Sequence, residues 1–318
     1  MQLVKQRATC PSCRAVFQRA QQCCPMDGAR LQPLPQDPLV GSLLGMRYQV
    51  LSVLGDGGMA RSYRVHDTRT DEPFAAQVMY GDYAAIPQHR ARFARAASIS
   101  AGLGHPNVVA TVDAAVDGTP LPYMVTELVE GPLLSQIIAA EAPLGARRVL
   151  RLLRQLASAL EHVHERGVIH RGLSPESVVV VARRDAEIAR IFDFGIALRP
   201  EAAEHRLTRA EKIVGTPAYM APEQANGGDS DARSDLYNLG LVLYEMLSGR
   251  HPFDGTALVM ATLHGAADVP PIHVRVPGLT VDPMLEAVAV RLMQARPADR
   301  FVSASALLER LEVLSGHR

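Results

Sequence analysis

The chain has 318 residues, of which 47% are hydrophobic, so it is long enough for two domains and can fill a sizeable core. Its 33 acidic and 33 basic residues cancel, so the net charge favours neither nucleic acid nor an anionic membrane as a partner. No segment reaches the ~18 consecutive apolar residues of a membrane span, and the first ten residues lack the apolar core of a secretory signal, so we expect a cytoplasmic protein.

The four cysteines are concentrated at the start of the chain. A reducing cytoplasm argues against disulfides, and the spacing of Cys10 and Cys13 suits a knuckle around one tetrahedral metal ion. Cys24 and Asp27 repeat that spacing with a carboxylate in place of a thiolate, and zinc accepts an oxygen ligand. We predict a zinc-ribbon-like module over residues 1–30, with structural Zn²⁺ bound by Cys10, Cys13, Cys24 and Asp27, and with Cys23 as the rival third sulfur ligand.

The alternative for residues 1–30 is a disordered tail with spare thiols, because a segment this short buries too little apolar surface to fold without a metal. Its basic side chains suggest a nucleic-acid contact. However, three thiolates and a carboxylate leave the zinc site itself anionic. We therefore expect this module to dock on protein partners rather than on nucleic acid.

A linker is predicted over residues 31–47, where repeated prolines favour an extended, semi-rigid spacer. A larger domain, residues 48–318, begins with two predicted strands, Tyr48–Leu54 and Ser62–Val65, on either side of a glycine-rich turn. The stretches PFAAQVMY and YMVTELVE predict further strands, with a helix over HRARFARAASISAGL between them.

After Gly131 the apolar residues recur at helical spacing, and the stretch SDLYNLGLVLYEMLSG is apolar nearly all round, which predicts a buried central helix. Strands that precede helices indicate an α+β fold with two lobes. We place a β-rich small lobe at residues 48–129 and a helical large lobe at residues 130–318.

Several short motifs follow one another in a fixed order along this domain. They are Gly55 and Gly57 in the glycine-rich turn, HPNVV from His105, TELVEG from Thr126, HRGLSPES from His170, DFG from Asp193, GTPAYMAPE from Gly215, Asp235 in the central helix, and Arg300. In this order the chain from Tyr48 to about Leu314 resembles the bacterial Ser/Thr protein kinases of the eukaryotic-like (Hanks) type. The front module resembles the zinc ribbons that sometimes precede such kinases.

The resemblance implies a catalytic site in which five positions are substituted. The strand lysine that grips the phosphates aligns with Gln77, and its glutamate partner on the next helix aligns with Ala96. In the central loop the catalytic aspartate, the lysine and the metal-binding asparagine align with Gly172, Ser174 and Ser177. None of these residues accepts a proton at neutral pH or supplies a positive charge. Among these polar positions of the family, only Asp193 is retained.

The joint substitution predicts a pseudokinase, a kinase-fold protein that acts as a signalling scaffold or regulator. Loss of the acid and base and of one electrostatic donor reduces turnover to roughly 10⁻³ s⁻¹ or slower. The alternative is a weakly active Ser/Thr protein kinase with an atypical site. Lysine occurs only at Lys5 and Lys212, so a substitute cation in the small lobe would be an arginine such as Arg61 or Arg64.

The resemblance leaves nucleotide binding open. If a nucleotide binds, the resemblance implies that its adenine contacts the backbone of Glu127 and Val129 and lies between Ala75 and Val179. The other candidate nucleotide-binding residues are Leu54, Gly55, Asp56, Gly57, Ser62 and Asp193, of which Asp193 is also the candidate Mg²⁺ ligand. Ala60 and Ser62 depart from the family pattern of the glycine-rich loop, which argues against ATP binding.

The remaining landmarks imply an intact fold and an opening for regulation. Glu223 is expected to pair with Arg300, and Asp235 to hold the backbone of the loop that contains His170. Arg171 is a candidate receptor for a phosphorylated Thr208. We expect protein partners, among them an active kinase or its substrate, and no membrane partner.

Overall fold

The structure is a computed structural model that describes residues 7–9, 16–18, 23–24, 28–30, 32–33, 37–57, 59–184, 186–194, 217–253 and 268–316. Of the predicted functional residues, Cys10, Cys13, Asp27 and Thr208 lie outside the described residues.

The N-terminal module contains a three-stranded antiparallel sheet in the order β2-β1-β3. Its strands are β1 (Arg7–Thr9), β2 (Val16–Gln18) and β3 (Gln32–Pro33). Because β3 pairs with β1, this small sheet extends past residue 30 into the segment predicted to be a linker.

The second half of the predicted linker is not an extended spacer. Residues 38–41 form turns, and β4 (Leu43–Leu44) pairs with the start of the next strand. The apolar side chains explain this difference, because Leu39 and Leu44 pack into the core of the small lobe beside Tyr48. Prolines in the sequence indicated the extended backbone, but burial of these leucines determines the path of the chain.

The small lobe is a six-stranded antiparallel sheet in the order β4-β5-β6-β7-β9-β8. Its longer strands are β5 (Tyr48–Asp56), β6 (Ala60–Asp67), β7 (Glu72–Met79), β8 (Thr111–Ala115) and β9 (Tyr123–Glu127). The predicted strands are present, and β5 and β6 run further than predicted on both sides of the glycine-rich turn. Helices α1 (Gly81–Ala84) and α2 (Pro87–Ala101) connect β7 to β8.

Alternation along the strands gives the small-lobe sheet two different faces. Tyr63 and Val65 of β6 and Ala76 and Val78 of β7 are buried in a core with Tyr48. On the other face, Met79 and Met124 pack against Phe93 and Ala97 of α2. The face of the sheet that contains Met79 and Met124 is therefore the one that packs against α2.

The described part of the large lobe is mainly helical and includes a short hairpin. Its elements are α3 (Leu134–Glu141), α4 (Ala146–Glu165), a 3-10 turn (Pro175–Ser177), β10 (Val178–Arg183), β11 (Ala186–Ile191), α5 (Pro222–Ala225), α6 (Ala232–Ser248), α7 (Ile272–Arg275), α8 (Pro283–Leu292), a 3-10 turn (Pro297–Asp299) and α9 (Ala304–Gly316). Within the described ranges, no helix is both long enough and apolar enough to cross a bilayer. Strands followed by helices give the predicted two-lobed α+β fold.

The central helix α6 is buried on nearly all sides, as predicted. Gly240 permits this packing, because a Cβ there would lie 2.7 Å from Leu292 Cβ and from Met293 Cγ. A larger residue would push α8 away from α6. The predicted apolar stripe of α4 is also confirmed, and its members are Val149, Leu152, Leu153, Leu156, Leu160 and Val163, all buried.

The expected pair of Glu223 and Arg300 is present. Arg300 Nη1 and Nη2 each donate to one oxygen of Glu223 at 2.8 Å, and Arg300 is almost fully buried. The Ser234 hydroxyl also donates to Glu223 at 2.7 Å. A bidentate pair of this kind fixes α5 and α6 relative to the loop before α9.

Candidate nucleotide cleft

The upper wall of the cleft is formed by strands β6 and β7. Ser62 lies directly opposite Gln77 in the register, so the two side chains share one face of the sheet. Ala75 lies two residues before Gln77 and is on the same face. All three side chains are half-buried. The structure therefore brings these predicted residues together on the face that also contacts α2.

Ala96 lies on α2, the helix that packs against this face, and is 4% exposed. Its neighbour Ala97 contacts the cluster around Met79, which is two residues along β7 from Gln77. The positions predicted for the lysine and its glutamate partner thus lie on facing elements. Neither residue carries a charge.

The hinge between the lobes begins where β9 ends at Glu127. The Glu127 carboxylate accepts hydrogen bonds from the Ala110 N–H at 2.6 Å and from Arg190 Nη1 at 2.6 Å. Its side chain is therefore held by the residue before β8 and by β11. Val129 follows the end of β9, so its backbone N–H and C=O groups are not part of the hydrogen bonding between the described strands. Gly131 is needed at the end of the hinge, because a Cβ there would be 2.3 Å from the Val180 carbonyl oxygen.

Val179, the residue predicted to lie below the adenine, is on β10. It is 5% exposed and bridges to Leu133 just after the hinge. The glycine-rich loop lies at the outer end of β5, where Leu54, Gly55, Asp56 and Gly57 are all exposed. The candidate adenine contacts therefore occur on both lobes around the hinge.

The loop that contains His170 is held by the carboxylate of Asp235, as expected. Asp235 Oδ2 accepts from the His170 N–H at 2.8 Å and Oδ1 accepts from the Arg171 N–H at 2.7 Å. His164 Nε2 also lies 2.8 Å from Oδ2. Burial raises the pKa of Asp235, but the hydrogen bond from His164 and the nearby histidines and backbone outweigh it, so the pKa is lowered. The carboxylate is therefore a charged anchor for this loop.

Gly172, at the position of the catalytic aspartate, follows Arg171, whose φ is 67°. A positive φ at a residue other than glycine persists only where the surroundings hold it, and here the Asp235 contact to the Arg171 N–H does so. The Gly172 N–H donates to His170 Nδ1 at 3.3 Å. The backbone of the loop is thus constrained, and Gly172, the position predicted for the catalytic aspartate, adds no side chain to it.

Ser174 and Ser177 use their polar groups within the same short turn. The Ser177 hydroxyl donates to the Ser174 carbonyl and accepts from the Ser174 N–H, both at 3.0 Å. Both serines are nearly fully buried. The Ser177 carbonyl accepts from the Phe192 N–H at 3.0 Å, which places this turn next to Asp193. The oxygen at the metal-binding position is therefore engaged in a local hydrogen-bond pair.

Asp193 follows β11, is exposed, and has a φ of 65°. Arg92, half-buried on α2 one turn before Ala96, lies within electrostatic range of it. Burial lowers the pKa of Arg92, the charge of Asp193 opposes that change, and the charge of Arg171 adds to it. Sequence reasoning missed Arg92, although its spacing of four residues from Ala96 on a predicted helix placed it on the same helical side.

The two arginines proposed as substitute cations both pair with carboxylates. Arg61 is on the same side of β6 as buried Tyr63, and it pairs with Asp37 and Asp56, each at 2.5 Å. Arg64 pairs with Glu130 at 3.1 Å, and both side chains are exposed. These contacts do not favour Arg61 as a substitute for the missing lysine, because Asp37 of the linker and Asp56 of the glycine-rich loop already hold its guanidinium.

A mostly buried carboxyl group, Glu245 on α6, lies near Tyr219 and Glu176 and was not singled out from the sequence. The Tyr219 hydroxyl donates to Glu245 Oε1 at 2.6 Å. Burial raises the pKa of Glu245 to about 7; the hydrogen bond from Tyr219 opposes this and the charge of Glu176 adds to it. The apolar pattern of α6 concealed this residue.

Comparison with known proteins agrees with this geometry. Residues 48–309 match the family described as the protein kinase domain. This chain belongs to the protein kinase domain family. The chain is 35% identical over 286 residues to the serine/threonine-protein kinase pkn3 of Myxococcus xanthus, and this alignment covers 89% of this chain and 52% of pkn3.

The chain is also 36% identical over 268 residues to the serine/threonine-protein kinase PknB of Mycobacterium tuberculosis, and this alignment covers 83% of this chain and 42% of PknB. The chain thus spans about half the length of the curated relatives it matches. Among solved structures, the PknI kinase domain of Mycobacterium tuberculosis superimposes with a TM-score of 0.66 at 26% identity, covering 86% of this chain and 98% of that domain.

The titration of Glu245 predicts a pH-dependent stability. Between the ordinary glutamate pKa and about 7, the folded state binds more protons at this site than the unfolded state, so the site destabilises the protein as pH rises through this window. Glu245→Gln cannot titrate. Relative to that variant, the native protein should lose on the order of 2 kcal/mol of unfolding free energy between pH 5 and pH 8, measured by urea unfolding.

The matched control is Glu165→Gln, which changes an exposed carboxyl at the end of α4. In this control, the unfolding free energy should change between pH 5 and pH 8 by the same amount as in the native protein. Parallel pH profiles for the native protein and Glu245→Gln would contradict the assignment.

Proposed function

We propose that this chain is a pseudokinase that regulates or scaffolds protein partners, among them an active kinase or its substrate, without efficient phosphotransfer. The observation that carries the proposal is the chemistry at the five substituted positions. Gln77 and Ala96 lie on facing elements without a charge, and Gly172 has no side chain to orient a hydroxyl. Phosphoryl transfer depends on such positioned charges.

The retained groups support nucleotide binding better than catalysis. Ala75, Val179 and the hinge offer the apolar walls and backbone groups for an adenine. For Mg²⁺, Asp193 offers a carboxylate, whereas the Ser177 oxygen is committed to Ser174. Mg²⁺ usually binds through one or two carboxylates and substrate phosphates, so Asp193 fits a metal that arrives with ATP.

A second candidate function is a Ser/Thr protein kinase of low turnover. The names of the relatives favour this candidate over the first, because pkn3 and PknB are both called serine/threonine-protein kinases. Arg92 gives it a structural basis, since this guanidinium lies near Asp193 and would supply the cation that Gln77 lacks. Arg92 would then contact the phosphates directly, and Asp193 would act on them through Mg²⁺.

Incubation of the full chain with labelled ATP, Mg²⁺ and a generic protein acceptor distinguishes the two candidates. The pseudokinase predicts turnover of roughly 10⁻³ s⁻¹ or slower, unchanged in Asp193→Ala. Turnover that Asp193→Ala and Arg92→Ala both abolish would reject it in favour of the slow kinase. Arg151→Ala, an exposed arginine on α4, is the control for loss of an arginine in general.

Thermal unfolding with ATP, with and without Mg²⁺, separates failure to bind from failure to transfer. A ligand at 100 times its dissociation constant adds about 2.7 kcal/mol to the unfolding free energy. A shift without turnover is the combination that the pseudokinase with a nucleotide predicts. Absence of any shift would leave only the scaffold part of the proposal.

We further propose that the N-terminal module binds structural Zn²⁺. The turn around Cys24 supports this, because its carbonyl accepts from the Gly28 N–H at 2.9 Å and its N–H donates to the Ala29 carbonyl at 2.8 Å. Cys24 is buried and Cys23 is exposed, which favours Cys24 as the third sulfur ligand. The residues described contain no metal-ligating cluster, and Cys10, Cys13 and Asp27 lie outside them.

Metal content of the purified chain tests the zinc site. We expect one Zn²⁺ per chain, strongly reduced in Cys24→Ser and retained in Cys23→Ser, because a thiolate contributes a Zn–S bond that a hydroxyl does not replace. The reverse pattern would assign the site to Cys23. If the purified chain contains no zinc, the alternative holds, in which residues 1–30 are a disordered tail with spare thiols.

Regulation by phosphorylation stays a prediction. Arg171 Nη2 contacts the Ser230 hydroxyl at 3.2 Å, and burial lowers the pKa of Arg171 while Asp235 opposes that change. A phosphate on Thr208 would provide Arg171 with an anionic partner.

A further inference from the structure

A chain of three charged groups joins the segment before the kinase domain to the glycine-rich loop. Asp37 Oδ2 accepts from Arg61 Nη1 at 2.5 Å, and Arg61 Nε donates to Asp56 Oδ1 at 2.5 Å. Asp37 belongs to the predicted linker, and Asp56 ends β5 at the loop. One guanidinium therefore contacts a carboxylate from each segment.

The linker end of this chain is firmly held. The Asp37 carboxylate also accepts from the Leu39 N–H at 2.9 Å and from the Tyr63 hydroxyl at 3.0 Å, and its side chain is only 8% exposed. Burial raises the pKa of Asp37, but these hydrogen bonds and Arg61 outweigh it, so the pKa is lowered. Asp37 is thus a shielded, charged anchor.

The loop end is held less tightly, from two sides. The Tyr80 hydroxyl donates to Asp56 Oδ1 at 2.8 Å, and the Tyr80 N–H donates to the Met59 carbonyl at 3.0 Å. The Asp56 side chain is 60% exposed. Across the turn, the Gly57 N–H donates to the Ala60 carbonyl at 2.9 Å. The order of the loop thus depends in part on where Arg61 is held.

Loss of the Asp37 contact would leave Arg61 without its shielded partner and free to move away from Asp56. A docked linker and an ordered loop therefore favour each other, and coupling of this kind acts equally in both directions. Residue 37 follows the N-terminal module closely in sequence. A partner that binds the module and pulls on the chain would act directly on Asp37.

We propose that Asp37, Arg61 and Asp56 form a conformational link through which the N-terminal segment controls the order of the glycine-rich loop and, with it, the affinity of the cleft for a nucleoside triphosphate. The affinity part rests on the nucleotide binding proposed above. The part that concerns loop order does not.

Hydrogen exchange of the full chain, followed by mass spectrometry, tests the link. Asp37→Asn removes the charge and keeps the shape, and we expect at least about fivefold faster exchange at the Gly57 and Tyr80 amides. Asp56→Asn, at the exposed end, should in turn speed exchange at Gly41 and Ser42. The control is Glu130→Gln, which breaks the exposed pair with Arg64 on the same strand and should change neither region.

The link is overturned if the Gly57 and Tyr80 amides of Asp37→Asn exchange as in the native chain, or if Glu130→Gln has the same effect. It is also overturned if Asp56→Asn leaves the linker unchanged. ATP titration of the same variants gives a separate outcome. Weaker ATP binding by Asp37→Asn supports the affinity part, and unchanged binding despite a looser loop rejects it. No ATP binding by the native chain would reject nucleotide binding itself, while the exchange result still decides the link.

Discussion

The buried carboxylate of Asp235 is the contact on which the shape of the cleft depends. It binds the backbone N–H groups of His170 and Arg171 and one ring nitrogen of His164, so the central loop has a fixed path whatever side chains it carries. An anion with several donors is stable in a dry interior, whereas an unpaired one would be costly. The scaffold of the kinase fold is thus separable from its chemistry.

That separation explains how five positions change while the fold stays intact. A buried lysine and glutamate stabilise each other, and loss of one leaves a charge that costs about 3–5 kcal/mol, so the two are expected to disappear together. Gln77 and Ala96 fit this pattern. In the loop, the Ser177 hydroxyl closes a hydrogen-bond pair with the Ser174 backbone. The Ser177 hydroxyl thus satisfies its hydrogen-bonding capacity locally and brings no charge to a phosphate.

Much of the fold was predictable from the sequence, because apolar spacing and short motifs specify it directly. The stripe of α4, the buried helix α6 and the Glu223–Arg300 pair are all present. The folding of residues 37–47 onto the small lobe was not predicted, since it depends on which distant residues Leu39 and Leu44 meet. Arg92, Glu245 and the partners of Arg61 were missed for the same reason. Their surroundings are brought together by tertiary packing rather than by sequence spacing.

The central claim is that the substituted positions, rather than the scaffold, limit phosphotransfer. Its most direct test is the turnover of a variant that combines Gln77→Lys, Ala96→Glu, Gly172→Asp, Ser174→Lys and Ser177→Asn, compared with the native chain under the same conditions. The account predicts a folded protein whose turnover rises by at least about 10²-fold. A folded, ATP-binding variant that transfers phosphate no faster than the native chain would contradict it.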